Sequence, residues 1–442
     1  METKITVKEK MSYGIASGGG NIITQLLATF LAAYLTDSVG IAAAAVGTML
    51  LVTRFIDAIS DVVMGTIVDK TNTRWGKARP WLLISAPLLL LSLTLMFSIP
   101  SSMADGGKIV YMYLSYIFLN CLCYTAFMVP HTSLLSRITL DGYERQKMAS
   151  INQILNQVGA LSVTTFMTIL VAKLGWTATA FIYGLATSIC ILIGFFGTKE
   201  HVDEGRKEKV KPVPLSQSIP AIKKNKYFFL LTAYFILLLG LATGPGSATY
   251  YFCNVNMNNL GLISVLSACQ IVPLLLINLF VPTLTKKFGR RTCMLSAAIV
   301  NAIGGLCIGI AGLNTALVVF GSILKGASQG VLFACGFAMS ADVVDYGEWK
   351  TSIRSEGLIN SCVSFGQKVG LGFGPAIATW IIAAGGYDGL AAVQTESAKA
   401  AINFSFGYLG VIIAILMIVV SYFMNIDKEV PDLREQLEAR RK

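Results

Sequence analysis

Long apolar runs separated by short polar or charged segments make up most of this chain. Twelve runs recur, near residues 12–36, 41–69, 81–100, 109–136, 149–172, 177–197, 227–253, 258–284, 293–312, 315–345, 357–384 and 401–424. An α-helix needs about 20 apolar residues to cross a bilayer, and each run offers roughly that many. The pattern predicts an all-α integral membrane protein with twelve transmembrane helices. One break is longer than the others. Residues 199–226 contain HVDEGRKEKVKPVP, which is charged and proline-bearing and reads as a linker. The expected division is an N-terminal six-helix bundle at 1–198, the linker at 199–226, a C-terminal six-helix bundle at 227–424 and a tail at 425–442. A weak repeat relates the halves. Arg74–Trp75–Gly76–Lys77 follows the second run and Lys287–Phe288–Gly289–Arg290 follows the eighth, both basic–aromatic–Gly–basic. Paired six-helix halves are one architecture of secondary transporters.

Composition agrees with the membrane class. The chain is 54% hydrophobic and 13% charged, with a mean hydropathy of +0.66, whereas soluble domains are about 25% charged. The first run is too long for a signal peptide and no small-x-small cleavage site follows it, so it reads as an uncleaved span. The net charge of +11 is an orientation signal. With the N-terminus inside, inner loops carry 29 of the 35 Lys and Arg, and outer loops carry only Lys108, Lys173 and Lys399. This asymmetry places both termini in the cytoplasm and the chain in the cell membrane. It removes the case for a nucleic-acid partner. The partners expected are a small-molecule solute and membrane lipid, with no obligate protein partner. Nine cysteines form no paired framework and no CxxC motif, so disulfides and zinc are not expected. Walker A, HExxH and GxSxG motifs are absent, which argues against an enzyme. Ser17–Gly18–Gly19–Gly20–Asn21 lacks a following GK[ST] and fits close helix packing better than phosphate binding.

The candidate chemistry centres on residues 50–81. Arg54, Asp57 and Asp61 are spaced by three and four, so a helix puts them on one face. A charge at the centre of a span costs roughly 2.5–3.5 kcal/mol on insertion scales. Three charges in one span call for a partner, an ion or a wet cavity. The plainer alternative is an ion-paired triad that locks helices together. Other polar residues form stripes: Asn21 with Gln25; Asn120, Tyr124 and His131; Gln153 with Gln157; Asn360, Ser364 and Lys368. In hydrocarbon such stripes face protein or water. Any one of them is equally explained by interhelical hydrogen bonds, at about 0.6 kcal/mol each, and His131 beside Pro130 fits packing equally well. As a set they suit a polyhydroxylated solute. Gly244–Pro245–Gly246 is expected to interrupt the seventh helix.

Several motifs together resemble one family. They are Tyr34–Leu35–Thr36–Asp37, Arg54–Phe55–Ile56–Asp57–Ala58–Ile59–Ser60–Asp61, Arg74–Trp75–Gly76–Lys77, Thr139–Leu140–Asp141 and Ala341–Asp342–Val343–Val344–Asp345–Tyr346–Gly347–Glu348. The chain resembles the major facilitator superfamily, and within it the glycoside–pentoside–hexuronide:cation symporters. The resemblance implies two pseudo-symmetric six-helix halves and secondary active transport by alternating access. It implies symport of a sugar, glycoside or hexuronide with a coupling ion, Na+ or H+, and no other cofactor. By resemblance, Asp57 and Asp61 are cation ligands, with Thr125 contributing and Lys368 approaching the pair. Hard cations prefer such carboxylate and hydroxyl oxygens. The solute residues implied are Asn21, Gln25, Tyr124, Met128, Gln153, Ser364 and Lys368. Two aspartates of neutral-galactoside members are replaced here by Asn21 and Met128, a tryptophan by Thr132 and an arginine by Gln153. The substrate of those members is therefore not carried over. Losing two acids makes the pocket more tolerant of an anionic sugar, and the apolar Met128 leaves a lipid or amphiphile as the alternative solute. Arg54, Lys368, Arg74, Lys77, Asp342 and Asp345 are expected in coupling and gating, the basic turns pairing with acids such as Asp342, Asp345 or Glu348.

Overall fold

The structure is a computed structural model that describes residues 5–100, 102–139, 141–201, 225–351, 356–426 and 436. Most of the predicted linker and tail, together with Leu140 and the Asn360 side chain, lies outside the described residues. Among the described residues there are twelve helical rods and no strand.

The chain divides into two compact units. The first contains α1 (Val7–Thr29, bent by 48° into Leu31–Ser38), α2 (Ala43–Lys70), α3 (Arg79–Met96) and α4 (Asp105–Ile138). It also contains α5 (residues 142–174) and α6 (176–197), which Gly175 separates. At φ 78°, Gly175 adopts a left-handed conformation that side-chain-bearing residues avoid, and this is what breaks the rod. The second unit contains α7 (Lys226–Asn256), α8 (Leu262–Phe288), α9 (Arg290–Ile310), α10 (Thr315–Thr351), α11 (Glu356–Ala384) and α12 (Glu396–Phe423). Eight helical stretches among the described residues are long and apolar enough to cross a membrane, residues 147–197 counting as one, and bent α1 makes a ninth. The outer face of α2 exposes Phe55, Ile59, Val62 and Val63. Contiguous exposed apolar surface of this kind fits lipid contact.

The glycine-rich stretch of α1 is a packing surface. A Cβ on Gly18 would lie 2.7 Å from the Leu155 carbonyl oxygen of α5, and one on Gly19 would lie 2.6 Å from Cys190 Cβ of α6. One on Gly20 would lie 2.4 Å from the Phe127 ring of α4. From the other side, a Cβ on Gly159 of α5 would sit 2.3 Å from the Gly18 carbonyl oxygen. Three helices therefore close on α1 at distances only glycine permits. His131 is also a packing residue: it is 1% exposed, stacks on Tyr13 at 4.3 Å between centroids, and its Nε2 lies 3.0 Å from the Tyr13 carbonyl.

One expectation is corrected. Gly244–Pro245–Gly246 does not interrupt the seventh helix, because the α-helix runs unbroken from Lys226 to Tyr251. A Cβ on Gly244 would lie 3.2 Å from the Gly374 carbonyl oxygen of α11, so here too the small residues serve close approach. The irregularity comes later, in a five-residue π-turn at Phe252–Asn256. Helix α1 ends in a matching π-turn at Tyr34–Ser38. Val39 N–H donates to Tyr34 O and Ile41 N–H to Leu35 O, as Met257 N–H donates to Phe252 O and Asn259 N–H to Cys253 O. The first helix of each unit thus ends in the same hydrogen-bond pattern.

Candidate functional site

Helix α2 turns its charged face toward α4. Asp57 is 8% exposed. Its Oδ2 lies 3.8 Å from Arg54 Nη1, one turn back on the same helix. Its Oδ1 is approached by Thr125 Oγ1 at 3.5 Å and by Asn120 Nδ2 at 3.4 Å. Thr125 Oγ1 also lies 3.3 Å from Asp61 Oδ1 and 3.4 Å from Ser60 Oγ. The structure therefore brings Asp57, Asp61 and Thr125 to one place, as the resemblance implies. Helix α4 achieves this by changing register. Its Ile117–Tyr124 segment is a π-helix, a form that leaves a carbonyl unmatched and that concentrates at functional positions. Thr125 Oγ1 reaches Asn120 O at 3.3 Å across that turn.

The first-unit residues that the resemblance implies for the solute have the following partners. Asn21 Nδ2 donates to Asn156 O of α5 at 2.7 Å, and Ser17 Oγ donates to Asn156 Oδ1 at 2.8 Å. Thr24 Oγ1 donates to the Tyr124 hydroxyl at 2.9 Å, and the Met128 sulfur lies 3.9 Å from the same hydroxyl. Gln25 Nε2 donates to Thr29 Oγ1 at 2.8 Å. Gln153 is exposed. On α5 these bonds to α1 are made by Asn156; one turn earlier, the buried Oδ1 of Asn152 has no hydrogen-bond partner among the described residues. Ser17, Thr24, Asn152 and Asn156 were not among the sequence candidates.

The first basic turn folds on the start of the linker. The Glu200 carboxylate accepts from the backbone N–H groups of Lys77, Ala78 and Arg79, at 3.2, 2.8 and 3.1 Å. These are the amides that open α3, where a negative charge is favoured. Arg74 lies over the Trp75 ring at 4.6 Å, and Lys77 Nζ donates to Asp69 O at 3.2 Å. Arg137 of α4 pairs with Asp69 at 3.4 Å, and His201 Nε2 meets Glu9 Oε1 at 2.8 Å.

In the second unit, Arg290 of the equivalent turn forms an ion pair with Asp342, whose side chain is 1% exposed. Removing one partner of a buried pair typically costs about 3–5 kcal/mol, because the other charge stays buried. Arg290→Met is therefore expected to lower the melting temperature clearly, and Arg290→Met with Asp342→Asn to recover part of the loss. Thermal unfolding of the three proteins in detergent checks this. Asp345 is partly buried on the same helix, α10. Ser364 and Lys368 lie four residues apart on α11, the serine exposed and the lysine partly buried.

Residues 12–428 match the family described as MFS/sugar transport protein. The chain belongs to that family. It is a multi-pass membrane protein and a secondary transporter of sugar-type solutes, not an enzyme. Among curated relatives, it is 33% identical to the isoprimeverose transporter of Lactiplantibacillus pentosus, over 97% of this chain and 91% of that one. It is 28% identical to the glucuronide carrier protein homolog of Escherichia coli, over 100% of this chain and 98% of that one. Among solved structures, the nucleoside transporter NupG superposes with a TM-score of 0.67 at 11% identity, covering 95% of this chain and 99% of the other. That likeness shows the major facilitator fold. A lipid or amphiphile carrier is not favoured by these relatives.

Proposed function

We propose that the protein carries a sugar, glycoside or hexuronide inward across the cell membrane, by symport with Na+ or H+ and by alternating access. Both termini then face the cytoplasm, as the distribution of basic loops implies. The relatives named for isoprimeverose and for glucuronides support a sugar-type substrate. One observation supports the coupling above all. Tyr124 and Thr125 are consecutive residues of α4; the Tyr124 hydroxyl accepts from Thr24 of α1, and the Thr125 hydroxyl lies within 3.5 Å of both α2 aspartates. A solute that moves Tyr124 moves Thr125 with it, so each ligand alters the affinity for the other. Such coupling is reciprocal.

Asp57, Asp61 and Thr125 are the proposed cation ligands. Asn21, Gln25, Tyr124, Met128, Gln153, Ser364 and Lys368 are proposed for the solute. Arg54 balances the acidic pair, Lys368 competes with the ion, and Arg74, Lys77, Asp342 and Asp345 serve gating. Asn21 keeps a hydrogen-bonding amide where an aspartate would add charge, which suits neutral and anionic sugars alike.

A thermal-shift screen tests the reading. Isoprimeverose, simple xylosides, glucuronides and galactosides are added to purified protein with and without sodium and at two pH values. A ligand present at 100 times its dissociation constant stabilises the folded state by about 2.7 kcal/mol. A shift with one glycoside class that grows with the coupling ion is the expected result. No shift with any sugar under any ion condition contradicts the proposal.

A further inference from the structure

Asn120 is 6% exposed and lies beside the acidic pair, on the π-helical segment of α4. Its amide Nδ2 is 3.4 Å from Asp57 Oδ1, a long hydrogen bond. Its amide oxygen accepts no hydrogen bond among the described residues. Its backbone carbonyl accepts from Thr125, the hydroxyl that also reaches both aspartates. So one residue touches the site twice, through its side chain and through its main chain. The nitrogen faces Asp57 because an ionised carboxylate only accepts hydrogen bonds.

We infer that Asn120 is an additional, switchable ligand for sodium, resting on the reading that Asp57 and Asp61 bind the coupling ion. Without the ion, the amide donates its N–H to Asp57 and reduces repulsion between the carboxylates. When Na+ arrives between Asp57 Oδ1, Asp61 Oδ1 and Thr125 Oγ1, an N–H aimed at the same place becomes repulsive. Rotation of the amide by half a turn removes that donor and presents Oδ1 instead. The ion then gains another oxygen, which a hard cation prefers. A proton needs no such rotation, since it binds one carboxylate oxygen directly. Asn120 therefore discriminates Na+ from H+ at a site that both can occupy. The π-turn has a specific part in this, because it brings the side chain of residue 120 and the hydroxyl of residue 125 to the same aspartate.

The test is a NaCl titration of purified full-length protein at constant ionic strength with choline chloride, read as the rise in melting temperature and repeated at two pH values. Wild type, Asn120→Leu, Asn120→Asp and Asp57→Asn are compared. Leucine matches the shape of asparagine and removes both polar atoms. Asn120→Leu is expected to raise the half-saturating sodium concentration by about tenfold or more, the scale seen when a supporting partner of a metal site is lost. Its response to pH is expected to stay close to wild type, which a merely structural role would not predict. Asn120→Asp retains an oxygen and is expected to keep the sodium response. If Asn120→Leu does not fold, Asn120→Asp decides alone: loss of its sodium response overturns the inference. A wild-type-like titration in Asn120→Leu, or no sodium effect on wild type, also overturns it. If Asp57→Asn loses the sodium response while Asn120→Leu keeps it, only this inference fails. If Asp57→Asn keeps it too, the cation-site reading fails as well.

Discussion

Asp57→Asn and Asp61→Asn are each expected to insert and fold, and each to lose ion-dependent solute affinity. Each change removes one negative charge from an ion's electrostatic well and leaves the shape of the side chain intact. The amide costs less to bury than a carboxylate, so the span survives. At Asp57 the loss is compounded, because Oδ1 serves Thr125 and Asn120 while Oδ2 faces Arg54. An amide there would offer one acceptor where the carboxylate offers two. The ion-paired alternative makes the opposite forecast: removing Asp57 would leave the partly buried Arg54 without this partner, lowering yield and stability while surviving protein kept its ion dependence. Solute affinity measured across sodium concentration and pH in both mutants separates the two.

Gly159→Val is expected to abolish folded protein or leave only a trace of it. The Gly18 carbonyl oxygen would lie 2.3 Å from any Cβ at position 159, and the obstacle is backbone, which cannot rotate aside. Helices α1 and α5 would have to separate, breaking the Asn21–Asn156 and Ser17–Asn156 bonds along the same seam. Overpacking alone typically costs about 1–3 kcal/mol, and here polar partners are lost besides. Gly65→Ala in α2 is the control, since nothing lies within 4 Å of a Cβ at that position. It is expected to be neutral or slightly stabilising, alanine being the better helix former. Size-exclusion profiles and melting temperatures of the two variants check the contrast.

Much of the fold was legible because bilayer physics writes in long words. Apolar runs of spanning length and basic loops are strong signals, and the rods follow the runs closely. The acidic pair was legible for the same reason: Asp57 and Asp61 stand out in an otherwise apolar span. What spacing could not give was rotation. Helix α5 carries two polar pairs one residue apart, Asn152 with Asn156 and Gln153 with Gln157. Adjacent residues differ by about 100° around a helix, so either pair could face α1. The structure turns Asn156 toward α1. The available signal was Gly159, three residues beyond Asn156 and thus on its face, opposite the glycines of α1. The seventh helix shows a different limit. Gly–Pro–Gly predicts a break in isolation, but the helix runs through it and Gly244 packs closely against Gly374 of α11. The π-turns were not legible at all, since their sequences, Tyr34–Ser38, Ile117–Tyr124, Phe252–Asn256 and Phe404–Tyr408, share no composition that distinguishes them from α-helix.

Cation-coupled sugar uptake is the central claim, and uptake into membrane vesicles tests it most directly. Vesicles containing the protein are given a labelled glycoside under an imposed inward sodium or proton gradient, then with the gradient collapsed by an ionophore. Accumulation above the outside concentration under one of the gradients, falling to equilibration when that gradient is collapsed, is the predicted result. Uptake that never exceeds equilibration under either gradient, or accumulation indifferent to both ions, would contradict it.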